Sequence, residues 1–89
     1  MHPLRNALNK LFWDSRENPK DYEITFIHRG APDDRKTISA SQIVEVGNSY
    51  FIYMSSAEGE ATIPFHRVIE VINVVSRKPL WRSIKRESE

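Results

Sequence analysis

An α+β domain is the fold class this sequence predicts: one N-terminal amphipathic helix packed on a curved, mainly antiparallel sheet of about five strands, a small partly open barrel. Three observations predict it. An apolar stripe of helical period opens the chain, and alternating or β-branched runs come after it as far as Arg82. Most turns between those runs are too short for parallel crossovers, which need about a dozen residues or more.

The helix is expected from Pro3 to about Asn18. Leu4, Ala7, Leu8, Leu11 and Phe12 recur at i, i+3, i+4, i+7 and i+8 and so share one face. Pro3 suits a first helical turn, and Asn18-Pro19 suits a stop. Trp13 is placed to shield the edge of the stripe. The helix is expected to cover the sheet and is assigned no chemistry.

Asp21 to Arg29 alternates as a half-buried strand does, with Tyr22, Ile24 and Phe26 on one face and Glu23, Thr25 and Ile27 on the other. Continued by two residues, the pattern puts His28 on the apolar side and Arg29 on the polar side. Gly30-Ala31-Pro32-Asp33-Asp34 then breaks the strand. Residues 42–46 read as a short strand, although Ser41 is also suited to cap a single helical turn. Gly47-Asn48 is a tight turn before a strand over 49–54, and a polar loop leads to another strand over 60–63. Pro64 marks an edge or bend. The β-branched run from Arg67 to Val75 predicts a strand buried on most of both faces. Leu80-Trp81-Arg82 closes the sheet, and residues 83–89 are expected to be the frayed tail of a single domain spanning 1–89.

Composition excludes several function classes. With no cysteine there is no disulfide framework and no thiolate nucleophile or metal ligand. No apolar run approaches the ~18 residues of a membrane span, and the N-terminus lacks a signal peptide's apolar core, so a cytoplasmic home and no membrane partner are expected. The net charge of +1 argues against indiscriminate nucleic-acid binding. Its distribution is uneven: residues 38–65 carry Glu45, Glu58 and Glu60 and no Lys or Arg, whereas 66–89 carry six basic residues against three acids. An anion is therefore expected to meet the C-terminal segment and its neighbours.

No internal repeat is evident beyond one echo. His28-Arg29 and His66-Arg67 use two of the three histidines, each followed by an arginine beside an expected strand. An imidazole donor next to a planar guanidinium suits a phosphate group, and Gly30 lets the backbone approach a ligand closely. Phe65, Trp81 and Arg82 are accessory candidates, and Tyr50, Phe51 and Tyr53 join the aromatics available to stack on a base or ribose. The plain alternative has Arg29 ion-paired with Asp33 or Asp34, and Arg67 with Glu45 or Glu60. Another has the sheet edge or helix meeting a protein partner.

Other chemistries fit less well. Two histidines could act as base and acid on a phosphodiester, but two-histidine phosphoesterases usually carry a hydroxyl two residues on, and here those positions hold Gly30 and Val68. No His-x-x-x-His spacing marks a metal site, and each imidazole adjoins a cation. The serines lie in no nucleophile elbow, and three scattered glycines make no phosphate loop. No catalytic residue, metal or cofactor is expected.

Ile27-His28-Arg29-Gly30-Ala31-Pro32, Ile63-Pro64-Phe65-His66-Arg67-Val68 and the late Leu80-Trp81 together resemble the RNA cyclic group end recognition domain family of small, mainly archaeal proteins. The likeness runs from about Leu8 to Arg82. In other proteins this domain is fused to RNA-processing modules, two-histidine phosphoesterase and nucleotidyltransferase domains among them. The resemblance implies binding of RNA 3′ ends that carry a 2′,3′-cyclic phosphate, with an RNA-processing enzyme as a further partner. It points to His28, Arg29, His66 and Arg67 as the phosphate-binding set, with Gly30 and Pro64 shaping their loops. A tyrosine is common in the family where Phe65 stands, so that hydroxyl is absent here.

Overall fold

In the computed structural model, which describes residues 3–57 and 59–83, the chain forms one α-helix and seven strands. The expected tail from residue 84 onward lies outside the described residues. Helix α1 spans Pro3–Trp13 and buries Leu4, Leu8 and Leu11. Burial of each such side chain contributes about 1.5–3 kcal/mol. The helix stops five residues short of Asn18 because the Asp14 carboxylate ties down the next bend of the chain, accepting from Arg16 N at 2.9 Å and Arg16 Nε at 3.2 Å. Asn18 starts a turn instead of ending a helix: its side chain accepts from Lys20 N, capping the 3₁₀ turn Pro19–Asp21. Trp13 does not shield the stripe. It is 83% exposed, since its position falls off the buried face.

The strands are β1 Tyr22–Ile27, β2 Arg35–Ser39, β3 Ile43–Val46, β4 Tyr50–Ser55, β5 Gly59–Pro64, β6 Val68–Asn73 and β7 Lys78–Arg82. They form two antiparallel sheets, ordered β2-β1-β6-β7 and β3-β4-β5, and no closed barrel. The expected single curved sheet of about five strands is thus corrected on both counts. The missed strand, β2, begins on Arg35 and Lys36, whose charge after Asp33-Asp34 reads as loop. It is held by full antiparallel register with β1, from Ile27↔Arg35 to Glu23↔Ser39.

Strand β1 alternates as its sequence predicts, with Tyr22, Ile24 and Phe26 buried. Strand β6 does not bury both faces. The register steps from Thr25↔Glu70 to Phe26↔Val68, so Ile69 is an extra residue in a bulge. That resets the parity and turns Val68 and Val71 both inward. Val74 and Val75 fall beyond the strand and are exposed.

Two corners carry the chain between sheets, and they are alike. Strand β2 passes to β3 through the 3₁₀ turn Ala40–Gln42, and β5 passes to β6 through the 3₁₀ turn Phe65–Arg67. The sequences Ile38-Ser39-Ala40-Ser41-Gln42-Ile43-Val44-Glu45-Val46 and Ile63-Pro64-Phe65-His66-Arg67-Val68-Ile69-Glu70-Val71 align without a gap, a repeat that the sequence reading missed. In each, the first, third and sixth residues are buried: Ile38, Ala40 and Ile43, then Ile63, Phe65 and Val68. The core lies between the sheets, where the Phe26 ring meets Phe51 and Tyr53 at centroid distances of 6.3 and 5.8 Å.

Helix α1 lies against β3 and β7, one edge strand from each sheet, and so closes the seam between them. The other two edge strands are β2 and β5, and the 3₁₀ turn Pro19–Asp21 packs against β2. No helix among the described residues is long and apolar enough to cross a membrane.

Leu8→Ala is expected to cost about 2–5 kcal/mol in urea unfolding followed by circular dichroism. Trp13→Ala, despite the larger side chain, is expected to change stability by less than about 0.5 kcal/mol.

Candidate functional site

Antiparallel pairing fixes which chain ends meet. Because Phe26 pairs with Val68, the end of β1 lies beside the start of β6, on strands about 5 Å apart. His28 comes two residues after Phe26 and His66 two residues before Val68, so one pair follows the end of β1 and the other, on the 3₁₀ turn Phe65–Arg67, precedes the start of β6. The two His-Arg pairs, 38 residues apart in sequence, occupy one end of the four-stranded sheet.

The first pair is held by a tight loop. His28 N donates to Asp34 O at 2.8 Å, which extends the β1–β2 ladder one residue past Ile27↔Arg35. Ala31 N donates to His28 O and Asp34 N to Ala31 O. Three of the residues between Arg29 and Arg35 have left-handed backbone: Gly30 (φ 92°), Asp33 (φ 59°) and Asp34 (φ 55°). Glycine adopts this region without penalty and aspartate tolerates it. Asp34 Oδ1 also accepts from Gly30 N at 3.4 Å. Ladder alternation keeps His28 on the inner side of the sheet, where it is half-buried and stands edge-on to Phe26 at 6.3 Å. Arg29 is exposed.

The second pair sits on the second corner, and the corner repeat explains its availability. At the first corner Ser39 and Gln42 form a capping box, the Ser39 hydroxyl accepting from Ser41 N and the Gln42 side chain accepting from Ser39 N. At the second corner the matching residues are Pro64 and Arg67, and no side chain caps the turn. Proline has no N–H to satisfy, so the side chain three residues on is not drawn back onto the backbone. His66 and Arg67 both face solvent.

None of the ion pairs that would neutralise these arginines is formed: among the described residues no carboxylate lies within 4.0 Å of Arg29 or Arg67. Further cations share this sheet end. Strand β2 starts there with Arg35 opposite Ile27 and Lys36 opposite Phe26, and β7 ends there with Arg82 opposite Glu70. Arg82 Nη2 is already paired with Glu70 Oε2 at 3.1 Å, a surface pair worth about 0.2–1 kcal/mol. The sequence reading missed Arg35 and Lys36 because it missed β2. The alternation of Lys36 and Ile38 against Arg35, Thr37 and Ser39 was the available signal.

The aromatic candidates belong to the core. Phe65 is 2% exposed and cannot stack on a ligand without leaving its place beneath the second corner. Phe51 and Tyr53 are buried as well, and Trp81, beside Val71 across the ladder, packs half-buried on the core. Tyr50 spends its hydroxyl on Glu45 Oε2 at 3.2 Å, which raises its pKa. What this sheet end offers is donors and charge. No group of three or more His, Cys, Asp or Glu side chains among the described residues is placed to hold a metal. The groove between α1 and β3, lined by Asn9, Phe12 and Val44, is separate and contains none of these cations.

Comparison with known proteins identifies a family. The family model described as MJ1316 RNA cyclic group end recognition domain matches residues 1–82. A UPF0248 protein of Methanococcus vannielii is 36% identical over 81 residues, covering 91% of this chain and 92% of its own. A UPF0248 protein of Pyrococcus furiosus is 36% identical over 83 residues, covering 93% and 90%, and one of Methanocaldococcus jannaschii is 34% identical over 79 residues, covering 89% and 91%. No solved structure gives a significant match.

A contrast within the second corner tests its reading. Arg67→Ala is expected to shift unfolding free energy by less than about 0.5 kcal/mol, because the guanidinium holds nothing in the fold. Phe65→Ala, two residues away, is expected to cost about 3–5 kcal/mol.

Proposed function

Because the chain belongs to the MJ1316 RNA cyclic group end recognition domain family, we propose that it is a binding module for RNA 3′ ends that holds a terminal 2′,3′-cyclic phosphate without turning it over. What supports this reading is that His28-Arg29 follows β1 and His66-Arg67 precedes β6 at the same end of two neighbouring strands, with neither arginine ion-paired among the described residues. Each guanidinium has two parallel donors to offer a phosphate, and each imidazole adds one. Burial of Phe51, Tyr53 and Phe65 favours recognition of the phosphate over stacking of bases, so the reading is of an end and not of a sequence. An RNA-processing enzyme that makes or consumes such ends is the matching partner class.

One observation favours a second reading. His28 follows and His66 precedes the Phe26–Val68 pair, so both imidazoles belong to one end of the sheet, where one could take a proton and the other give one on a bound phosphodiester. That reading is a cyclic phosphodiesterase, and it differs in leaving an opened ring.

Both are tested with one short single-stranded RNA bearing a 2′,3′-cyclic phosphate, a 3′-phosphate or a 3′-hydroxyl, at fixed moderate salt, with the ends analysed afterwards. Preference for the cyclic end with the ring intact is expected; ring opening lost in His28→Ala and in His66→Ala establishes the enzyme instead. Equal, salt-sensitive binding to all three ends would overturn both. Arg29→Lys and Arg67→Lys are each expected to weaken binding by roughly five- to tenfold, since a point charge does not reproduce the planar fork.

A further inference from the structure

Strand alternation gives the four-stranded sheet an outward face as well as the one that meets the core. Glu23, Thr25 and Ile27 of β1 lie on it, with Ser39, Thr37 and Arg35 of β2 across the ladder from them. Lys36 is excluded: it pairs with the buried Phe26 and turns inward, its Nζ 5.8 Å from the centroid of the Tyr53 ring. Arg35 stays outward. It is exposed, and among the described residues no carboxylate lies within 4.0 Å of it.

Successive rows on this face differ in charge. The row nearest the His-Arg end is Arg35 beside Ile27, which is 43% exposed. The next, about 7 Å along the strands, is Thr37, Thr25, Glu70 and Arg82. It is neutral, since the two threonine hydroxyls bond one another at 2.9 Å and Arg82 offsets Glu70. The third, roughly 13 Å from the first, holds Ser39, Glu23 and Ile72. Glu23 is exposed there and is in no ion pair among the described residues. The two sheets differ in the same sense. Strands β1, β2, β6 and β7 carry Arg35, Lys36, Lys78 and Arg82 against Glu23 and Glu70, whereas β3, β4 and β5 carry Glu45 and Glu60 and no Lys or Arg. An RNA strand leading to a phosphate at the His-Arg end therefore meets favourable charge on the four-stranded sheet and unfavourable charge on the other.

We propose that the outward row of Arg35 and Ile27 seats the last nucleotide of the RNA: Ile27 packs on its sugar, and Arg35 holds the phosphodiester that joins it to the nucleotide before. The assignment rests on the reading of the protein as an RNA-end binder, and adds to it the direction in which the strand leaves and the length engaged. A lone exposed isoleucine is ordinary on a surface. Here a guanidinium stands directly across the ladder from it and Arg29 follows two residues on, so apolar and anion-binding groups alternate as sugar and phosphate do along a strand. Glu23 closes the footprint, because a further phosphate carried down the face would approach its carboxylate. The site takes the last two nucleotides and gains little from a longer strand.

The test is a binding titration of the full chain at several salt concentrations. The ligands are a mononucleoside 2′,3′-cyclic phosphate, a dinucleotide and a pentanucleotide with the same end, and the dinucleotide with a 3′-hydroxyl. It is repeated on Arg35→Gln and Ile27→Thr, both at exposed positions, with folding checked by circular dichroism. Arg35→Gln should weaken the dinucleotide about fivefold and take about 0.7 from the slope of log affinity against log salt. It should weaken the mononucleoside less than about twofold, since that ligand lacks the internal phosphodiester. Ile27→Thr, which takes one apolar group from the sugar, should weaken both about threefold. Affinity should level off at the dinucleotide; a continued rise to the pentanucleotide overturns the two-nucleotide footprint. Both variants binding the dinucleotide as the parent does, with the cyclic end still preferred, overturns the outward row and leaves the RNA-end reading intact. Equal loss of mononucleoside and dinucleotide in Arg35→Gln also overturns the row, by putting Arg35 on the terminal phosphate. Weakened dinucleotide binding in the variants, with equal parent affinity for cyclic and hydroxyl ends, supports the row and overturns the RNA-end reading. No binding of any ligand by the parent overturns both.

Discussion

The structure depends on the two places where a strand leaves one sheet and enters the other. The apolar face of each sheet has to be covered by another element, and here the two sheets cover one another. Each corner solves the problem by breaking the ladder for one 3₁₀ turn and pushing one side chain beneath the bend, Ala40 at the first and Phe65 at the second. Corners of this kind are how strands switch between packed sheets. The helix fills a gap that the corners leave, and Phe26 is surrounded because they hold the two faces opposed.

The corners also decide where chemistry is possible. Because β6 pairs antiparallel with β1 through Phe26 and Val68, the corner that joins β5 to β6 falls at the sheet end where β1 finishes. Charge then collects at that end from separate segments. The loop that presents Arg29 is fixed by backbone bonds and three left-handed residues, and little of its freedom remains for a ligand to remove.

How much of this is legible in the sequence depends on the range of each interaction. The stripe Leu4, Leu8, Leu11 and the alternation of Tyr22, Ile24 and Phe26 are local periodicities, and both are present in the fold. The early helix end turns on a carboxylate two residues from its partner, Asp14 to Arg16, which no apolar pattern registers. Strand β2 exists through its pairing with β1 and is concealed by its charges. The extra residue Ile69 is a property of two strands together, so the β-branched density of 68–75 misleads about burial. The pairs at 28 and 66 were legible as motifs. Their placement at one end of the same sheet was not, because register is long-range, and the same is true of Lys36 over Tyr53. The repeat escaped notice because chemically dissimilar residues, Ser-Ala-Ser-Gln and Pro-Phe-His-Arg, build one backbone shape.

That shared shape divides labour between two copies. At Ser39 and Gln42 the side chains are spent inward, on the turn that holds them. At Pro64 and Arg67 the rigid ring sets the entry to the turn, and the outer side chains are left for something else. The first bend is thus held by its own side chains, whereas the second leaves His66 and Arg67 facing solvent. The first corner is free to become as self-sufficient as its geometry allows. The second cannot do the same, since every side chain recruited to tighten that bend would be withdrawn from the surface that meets the outside world.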